Sequence, residues 1–148
     1  MRHDRLKRLS HEDRLEIQDL IVSYAALLDL QRFDELTGLF IACGVIELPD
    51  GRLQGVPEFI SHLQSTPARR LHHVDSIWLS CCAWDCQARS HYFETGWDAA
   101  RSETVVLTAG IFEDLIVHVD DQWRFGRRRF DPLDPSTSLP AALPALTR

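Results

Sequence analysis

The feature that most constrains the fold is a run of long strand-like segments in the second half of the chain. Three stretches follow one another from residue 69 to residue 119, and a shorter one comes after an Asp-Asp turn: RRLHHVDSIWLSCCA, CQARSHYFETGW, TVVLTAGIFEDLIVHV and WRFGRRRF. Short connections between successive strands are typical of antiparallel pairing. We therefore predict that residues 69–130 form an antiparallel sheet.

The first half of the chain is patterned as helices. Ser10 followed by Asp13 resembles a capping box, and apolar residues then recur at steps of three and four. A shorter helical piece at 33–40, a short strand at 44–49 and a helix beginning near Pro57 follow. Helices first and strands afterward predict an α+β fold, with the helices packed on one face of a curved sheet.

Length and composition indicate one ordinary domain. The chain has 148 residues, of which 45% are hydrophobic. We place the domain at residues 10–131, after a charged lead at 1–9. The segment 132–148 is a proline-rich tail, for which a disordered end and an extended arm over a neighbour or a pocket mouth are both open.

Charge and cysteine usage narrow the partners and the compartment. The net charge of −6 argues against nucleic-acid and anionic-membrane partners. No stretch has the apolar length of a membrane span or the pattern of a signal peptide. The four cysteines lack zinc-ligand spacing, so we expect reduced thiols, no metal and a cytoplasmic protein.

Asp29 and a histidine doublet are the residues that suggest chemistry. Asp29 lies four residues after Ala25, on the apolar side of the first helix, where the helix dipole and desolvation both disfavour a charged carboxylate. It needs a partner, unless it lies past the helix end in solvent. His72 and His73 are neighbours on one strand and must point to opposite faces. The strand pattern alone does not decide which of them faces inward.

Three segments, in order, resemble the SnoaL-like group of the nuclear transport factor two-like superfamily: EIQDLIVSYAALLDLQRFDELTGLF, RRLHHVDS and TAGIFEDLIVHVDDQWRFGRRRF. The first is similar to the group's opening helix, the second to its pocket strand and the third to its closing hairpin. The resemblance covers about residues 10–131. It implies a cone, in which a strongly bent antiparallel sheet wraps around the N-terminal helices and leaves one pocket at the open end.

The resemblance also implies a site. The group includes scytalone dehydratase, hexachlorocyclohexane dehydrochlorinase and polyketide cyclases. In the first two, an aspartate ending the first helix and a histidine on the central strand form the catalytic pair, and these fall on Asp29 and His72. His73 then takes the opposite face. The positions that correspond to substrate-binding residues of the pocket are Tyr24, Phe112, Asp114 and Arg128, and His91 is a further candidate whose strand parity is open.

These residues predict a cofactor-independent lyase or isomerase that acts on a small hydrophobic oxygenated ring compound. His72 would act as general base and acid, oriented by Asp29, in removing a proton next to a carbonyl. We expect a homodimer or homotrimer. Two alternatives are a non-catalytic assembly subunit, like the small subunit of ring-hydroxylating dioxygenases, and a small-molecule-binding module.

Overall fold

The computed structural model describes residues 9–65, 69–82 and 84–133. Most of the N-terminal lead and almost all of the proline-rich tail lie outside these residues, so their boundaries and the roles considered for the tail stay predictions. The elements, in chain order, are α1 (His11–Asp29), α2 (Phe33–Gly38), β1 (Phe40–Glu47), β2 (Leu53–Gly55), α3 (Val56–Ser65), β3 (Leu71–Cys81), β4 (Asp85–Asp98), β5 (Glu103–Val119) and β6 (Gln122–Pro132).

The strands form one curved, unclosed sheet in the order β2-β1-β6-β5-β4-β3. The α+β prediction is confirmed, and the pairings from β3 to β6 are antiparallel as expected. One pairing is not antiparallel, because β1 lies parallel to β6, with Val45 opposite Arg127. This contact joins strands that are distant in the chain. Antiparallel pairing was predicted from short connections between successive strands, which say nothing about such a contact.

Helix α1 lies inside the curve of the sheet and packs against β3 and β6. Its predicted apolar stripe is confirmed, because the buried residues of α1 are Ile17, Leu20, Ile21, Tyr24 and Ala25. The helix ends at Asp29, and Gln31 follows with a positive φ of 57° that turns the chain away. Asp29 is thereby placed at the open end of the cone.

The start of α1 is fixed by a complete capping box. The Ser10 side chain accepts the backbone N–H of Asp13 at 3.0 Å, and Asp13 accepts the backbone N–H of Ser10 at 3.1 Å. The other carboxylate oxygen of Asp13 accepts the indole N–H of Trp123 at 3.0 Å, which ties the helix to β6. One side chain therefore sets both the start of the helix and its attachment to the sheet.

We expect Asp13→Ala to lower the free energy of unfolding by about 1–2 kcal/mol, since it removes the helix cap and leaves a buried indole N–H unpaired. Urea denaturation measures the loss. Glu12→Ala, at the exposed neighbouring position, is the matched control and should change stability by less than about 0.5 kcal/mol. Equal effects of the two substitutions would contradict the assigned role of Asp13.

The expectation of four reduced cysteines is wrong for one pair. Cys81 and Cys86 lie directly opposite each other at the turn between β3 and β4, with Cα atoms 3.9 Å apart, and they form a disulfide. Cys43 and Cys82 are free. The spacing CCAWDC does not show this pairing by itself, because it depends on the register of the hairpin.

Candidate active site

A cavity of about 430 Å³ opens between the helices and the concave face of the sheet. Its apolar wall includes Leu28, Phe33, Leu48, Phe59, Leu63 and Phe130. Its polar side includes Tyr24, Asp29, Arg70, His72, Tyr92 and Glu94. The cavity therefore has the mixed character of a small-molecule site, with a largely apolar lining and a few converging polar groups.

The structure brings the predicted pair, Asp29 and His72, together. Nδ1 of His72 lies 2.6 Å from Oδ1 of Asp29. The backbone N–H of His72 also donates to both carboxylate oxygens, at 3.1 and 3.0 Å. An ionised carboxylate can only accept, so Nδ1 carries the proton in this contact. The helix end and the central strand thus fix both the position and the tautomer of the imidazole.

Glu94 is a third member of this group that the sequence reasoning missed. It lies opposite His72 in the β3–β4 pairing, and its Oε1 is 3.4 Å from Nε2 of His72. Its Oε2 accepts Nη1 of Arg70 at 2.8 Å. The side chains of Asp29, His72 and Glu94 are only 14–16% exposed. The imidazole therefore lies between two carboxylates on the cavity wall.

The two carboxylates favour the protonated imidazole. Burial lowers the pKa of His72, but the bonds and charges of Glu94 and Asp29 outweigh it, so the pKa of His72 is raised above its usual value. The bond to His72 lowers the pKa of Glu94; burial opposes this change and Arg70 adds to it. The arrangement therefore favours an imidazolium beside an ionised Glu94 more strongly than water does for the separate groups.

Tyr24 is the one predicted substrate-binding residue that lines the cavity. Burial raises the pKa of its phenol well above the usual range, although the nearby Arg128 opposes this change. Among the described residues, none forms a hydrogen bond with its buried hydroxyl. The group is therefore a neutral donor that a ligand oxygen can occupy.

Phe112, Asp114 and Arg128, which were predicted to bind substrate, face the inside of the cone but are not among the residues that line the cavity. All three are buried beneath the cavity. Arg128 donates Nε and Nη2 to the two oxygens of Asp114, each at 2.8 Å, and its guanidinium lies 4.1 Å from the centre of the Phe112 ring. Because Tyr24 covers the guanidinium from above at 4.2 Å, this cluster supports the floor of the cavity.

His91 and His73 lie on the outer face of the sheet. His91, predicted as a further substrate-binding candidate, has a side chain that is 50% exposed, near Asp75 and Trp78, and it is not among the residues that line the cavity. The alternation of β4 explains this, because its even-numbered residues point inward. His73 stacks on Phe93 at 4.3 Å between ring centres. The same alternation, read from the sequence, is the signal that points Glu94 inward.

The described ranges contain no group of three or more His, Cys, Asp or Glu residues placed to hold a metal ion. In those ranges, too, none of the helices combines the length and the apolar character that a bilayer span needs. The chemistry that the site offers from its own side chains is proton transfer, between Asp29, His72 and Glu94, next to an apolar wall.

Comparison with known proteins identifies the class. A family model described as a SnoaL-like domain matches residues 10–129, and the chain belongs to this family. Among curated proteins, it is 26% identical over 121 residues to the uncharacterised protein Rv2910c of Mycobacterium tuberculosis, covering 78% of this chain and 82% of that one.

Solved structures share the fold. An NTF2-like protein with a cystatin-like fold from Novosphingobium aromaticivorans has a TM-score of 0.77 at 19% identity, covering 84% of each chain. A candidate scytalone dehydratase from the same organism has a TM-score of 0.72 at 22% identity, covering 93% of this chain and 95% of that one. The β subunit of a candidate aromatic-ring-hydroxylating dioxygenase, also from that organism, has a TM-score of 0.66 at 16% identity, covering 81% of this chain and 90% of that one. At these identities the likeness establishes the fold.

Proposed function

We propose that this protein is a cofactor-independent lyase or isomerase that moves a proton at a carbon next to a carbonyl group. His72, oriented by Asp29, is its acid–base group. The observation that carries the proposal is the 2.6 Å contact between Nδ1 of His72 and Asp29 on the wall of an apolar cavity. A histidine held in this way typically contributes about 100- to 10,000-fold in rate.

The charges of the cavity favour a neutral substrate. Asp29 and Glu94 lie on either side of His72, and Arg70 is bonded to Glu94. Each charged side chain of this polar group thus already has a partner of opposite charge, which leaves none dedicated to a substrate carboxylate or phosphate. A volume of about 430 Å³ with a largely apolar wall suits a compound of one or two rings.

Tyr24 supplies a place for the substrate carbonyl. Its buried hydroxyl is a donor, and a hydrogen bond to the carbonyl oxygen would stabilise the enolate that forms when the neighbouring carbon loses a proton. The proton then either joins a departing hydroxyl, which is dehydration, or returns at another carbon, which is isomerisation. The same groups also serve a ring closure by aldol addition.

Two other functions use the same fold, a non-catalytic subunit of a larger enzyme and a ligand-binding module. The likeness to a dioxygenase β subunit supports the first. Neither an assembly subunit nor a ligand-binding module requires a carboxylate–imidazole pair directed at the cavity. The presence of this pair therefore favours an enzyme. We further propose that the chain assembles with copies of itself, as a homodimer or homotrimer.

The test is a panel of neutral cyclic β-hydroxy ketones and β,γ-unsaturated ketones incubated with the purified chain in D₂O. We expect deuterium to enter next to the carbonyl for at least one compound, with elimination or a double-bond shift, and NMR measures both. Binding without exchange would favour the ligand-binding module. A chain that is soluble only with a larger partner protein would favour the assembly subunit, and size-exclusion chromatography distinguishes that case from a homo-oligomer.

A further inference from the structure

We propose that Glu94 is a second catalytic residue, the base that takes the substrate proton, and that His72 is the acid that gives one to the leaving group. This inference rests on the proposed function, because it divides the two halves of the same proton transfer between two neighbouring side chains. It names a role for Glu94 that neither the sequence patterns nor the resemblance assigned.

Both ring nitrogens of His72 have a carboxylate beside them. Nδ1 of His72 is committed to Asp29 at 2.6 Å, so only Nε2 can meet a substrate. Nε2 faces Oε1 of Glu94 at 3.4 Å, and a bare nitrogen lone pair beside an ionised carboxylate is electrostatically unfavourable. A proton on Nε2 removes that repulsion. In the resting site Nε2 therefore carries a proton to donate and has no lone pair with which to accept one.

Glu94 lies on the cavity wall, next to His72 and Arg70. Its carboxylate lines the cavity, and Arg70 holds Oε2 at 2.8 Å, so Oε1 is the oxygen left facing His72 and the cavity. The contact of 3.4 Å is longer than a normal N–H···O hydrogen bond, which leaves Oε1 without a short bond to break before it accepts a proton. Other titratable groups around this point are Asp29 and Tyr24 of α1, Tyr92 of β4 and His62 of α3.

The reaction balances within this group. Oε1 of Glu94 takes the proton from the carbon next to the carbonyl, and the C–H electron pair forms the new double bond. The bond to the hydroxyl on the next carbon breaks, and the Nε2 proton of His72 joins the departing hydroxide as water. Glu94 is then protonated and His72 neutral. Transfer of one proton across the gap between Oε1 and Nε2 restores the starting state.

The experiment uses 5-nitrobenzisoxazole, a small aromatic compound whose ring opening needs a base and no acid. The base removes its single C–H proton on the isoxazole ring, the electron pair forms a nitrile, and the N–O bond breaks to release a coloured phenolate. We compare the full-length wild type with Glu94→Gln and His72→Gln. Glu47→Gln is the matched control, because Glu47 has similar exposure and also lies beside an arginine, Arg127, but does not line the cavity. Thermal melting establishes that each variant is folded.

We expect Glu94→Gln to lower the rate of ring opening by about 100-fold. We expect His72→Gln to increase it, because removing the imidazolium makes the Glu94 carboxylate more basic. The rate of His72→Gln should be nearly constant from about pH 6 to pH 8, because Glu94 is ionised throughout and no imidazole titrates beside it. If His72 were the base, this variant would instead lose the ring-opening rate.

The other outcomes separate this inference from the proposed function. A rate that survives Glu94→Gln, or that falls equally in both variants, overturns the role of Glu94 and leaves the acid–base function of the cavity standing. A wild-type rate no higher than that of the triple variant Asp29→Asn, His72→Gln and Glu94→Gln overturns both.

Discussion

Replacing Arg128 with methionine is expected to lower the free energy of unfolding by about 3–5 kcal/mol, a large fraction of the stability of a domain of this size. The Arg128 and Asp114 side chains are both fully buried, and two bonds of 2.8 Å join them. Methionine keeps much of the volume of the side chain but removes the charge. The Asp114 carboxylate is then left in the core without a cation.

The pH dependence of this variant follows from Asp114. Burial raises the pKa of Asp114 in the folded protein, even though Arg128 opposes the shift. Without Arg128 that opposition disappears. The folded-state pKa of Asp114 therefore lies above its unfolded-state pKa. The contribution of Asp114 to the free energy of unfolding is then largest below the unfolded-state pKa, and it decreases as the pH rises through the folded-state pKa. Urea denaturation of Arg128→Met should therefore show a smaller loss at pH 5 than at pH 8.

Two further variants make the result specific. Adding Asp114→Leu to Arg128→Met removes the unpaired charge, and we expect it to recover most of the loss. Arg127→Met removes a neighbouring arginine that is 52% exposed and should cost less than about 1 kcal/mol. A double variant no more stable than the single one would show that packing of the guanidinium against the rings, rather than charge, accounts for the effect.

The sequence predicts the elements of this fold well because each has a local cause. The capping box begins α1, the apolar stripe sets its inner face, and alternation indicates the strands of the hairpins. The parallel contact of β1 with β6 has no local cause, and the pairing of Cys81 with Cys86 depends on register. The first depends on how distant segments meet, and the second on how the two strands of one hairpin align.

Some residues of the candidate site could be predicted from the sequence and others could not. The resemblance places Asp29 and His72 at corresponding positions, and the structure brings them together. It also places Arg128 and Asp114 on the inner face of the sheet. Whether an inward side chain reaches the cavity depends on its depth in the cone, and the sequence pattern does not predict that depth. Glu94 was missed because its role depends on the β3–β4 register, which sets it opposite His72.

Replacing His72 with alanine is expected to lower kcat by about 100- to 10,000-fold on whichever compound of the ketone panel is turned over. A departing hydroxide needs a proton, and the proposed reaction takes it from Nε2 of His72. The released phenolate of 5-nitrobenzisoxazole needs none, so the two reactions respond differently to this substitution. Steady-state kinetics on the panel compound measures the loss.

The same substitution should change stability by only about 1 kcal/mol. The Asp29 carboxylate keeps the two bonds of 3.1 and 3.0 Å from the backbone N–H of residue 72, so no buried charge is left bare. His73→Ala is the matched control, since that imidazole lies on the other face against Phe93, and it should leave kcat unchanged. Added imidazole should restore part of the activity of His72→Ala. Dehydration within threefold of wild type in folded His72→Ala would remove His72 from the reaction, because the Nε2 proton of its ring is the one proposed to join the departing hydroxide.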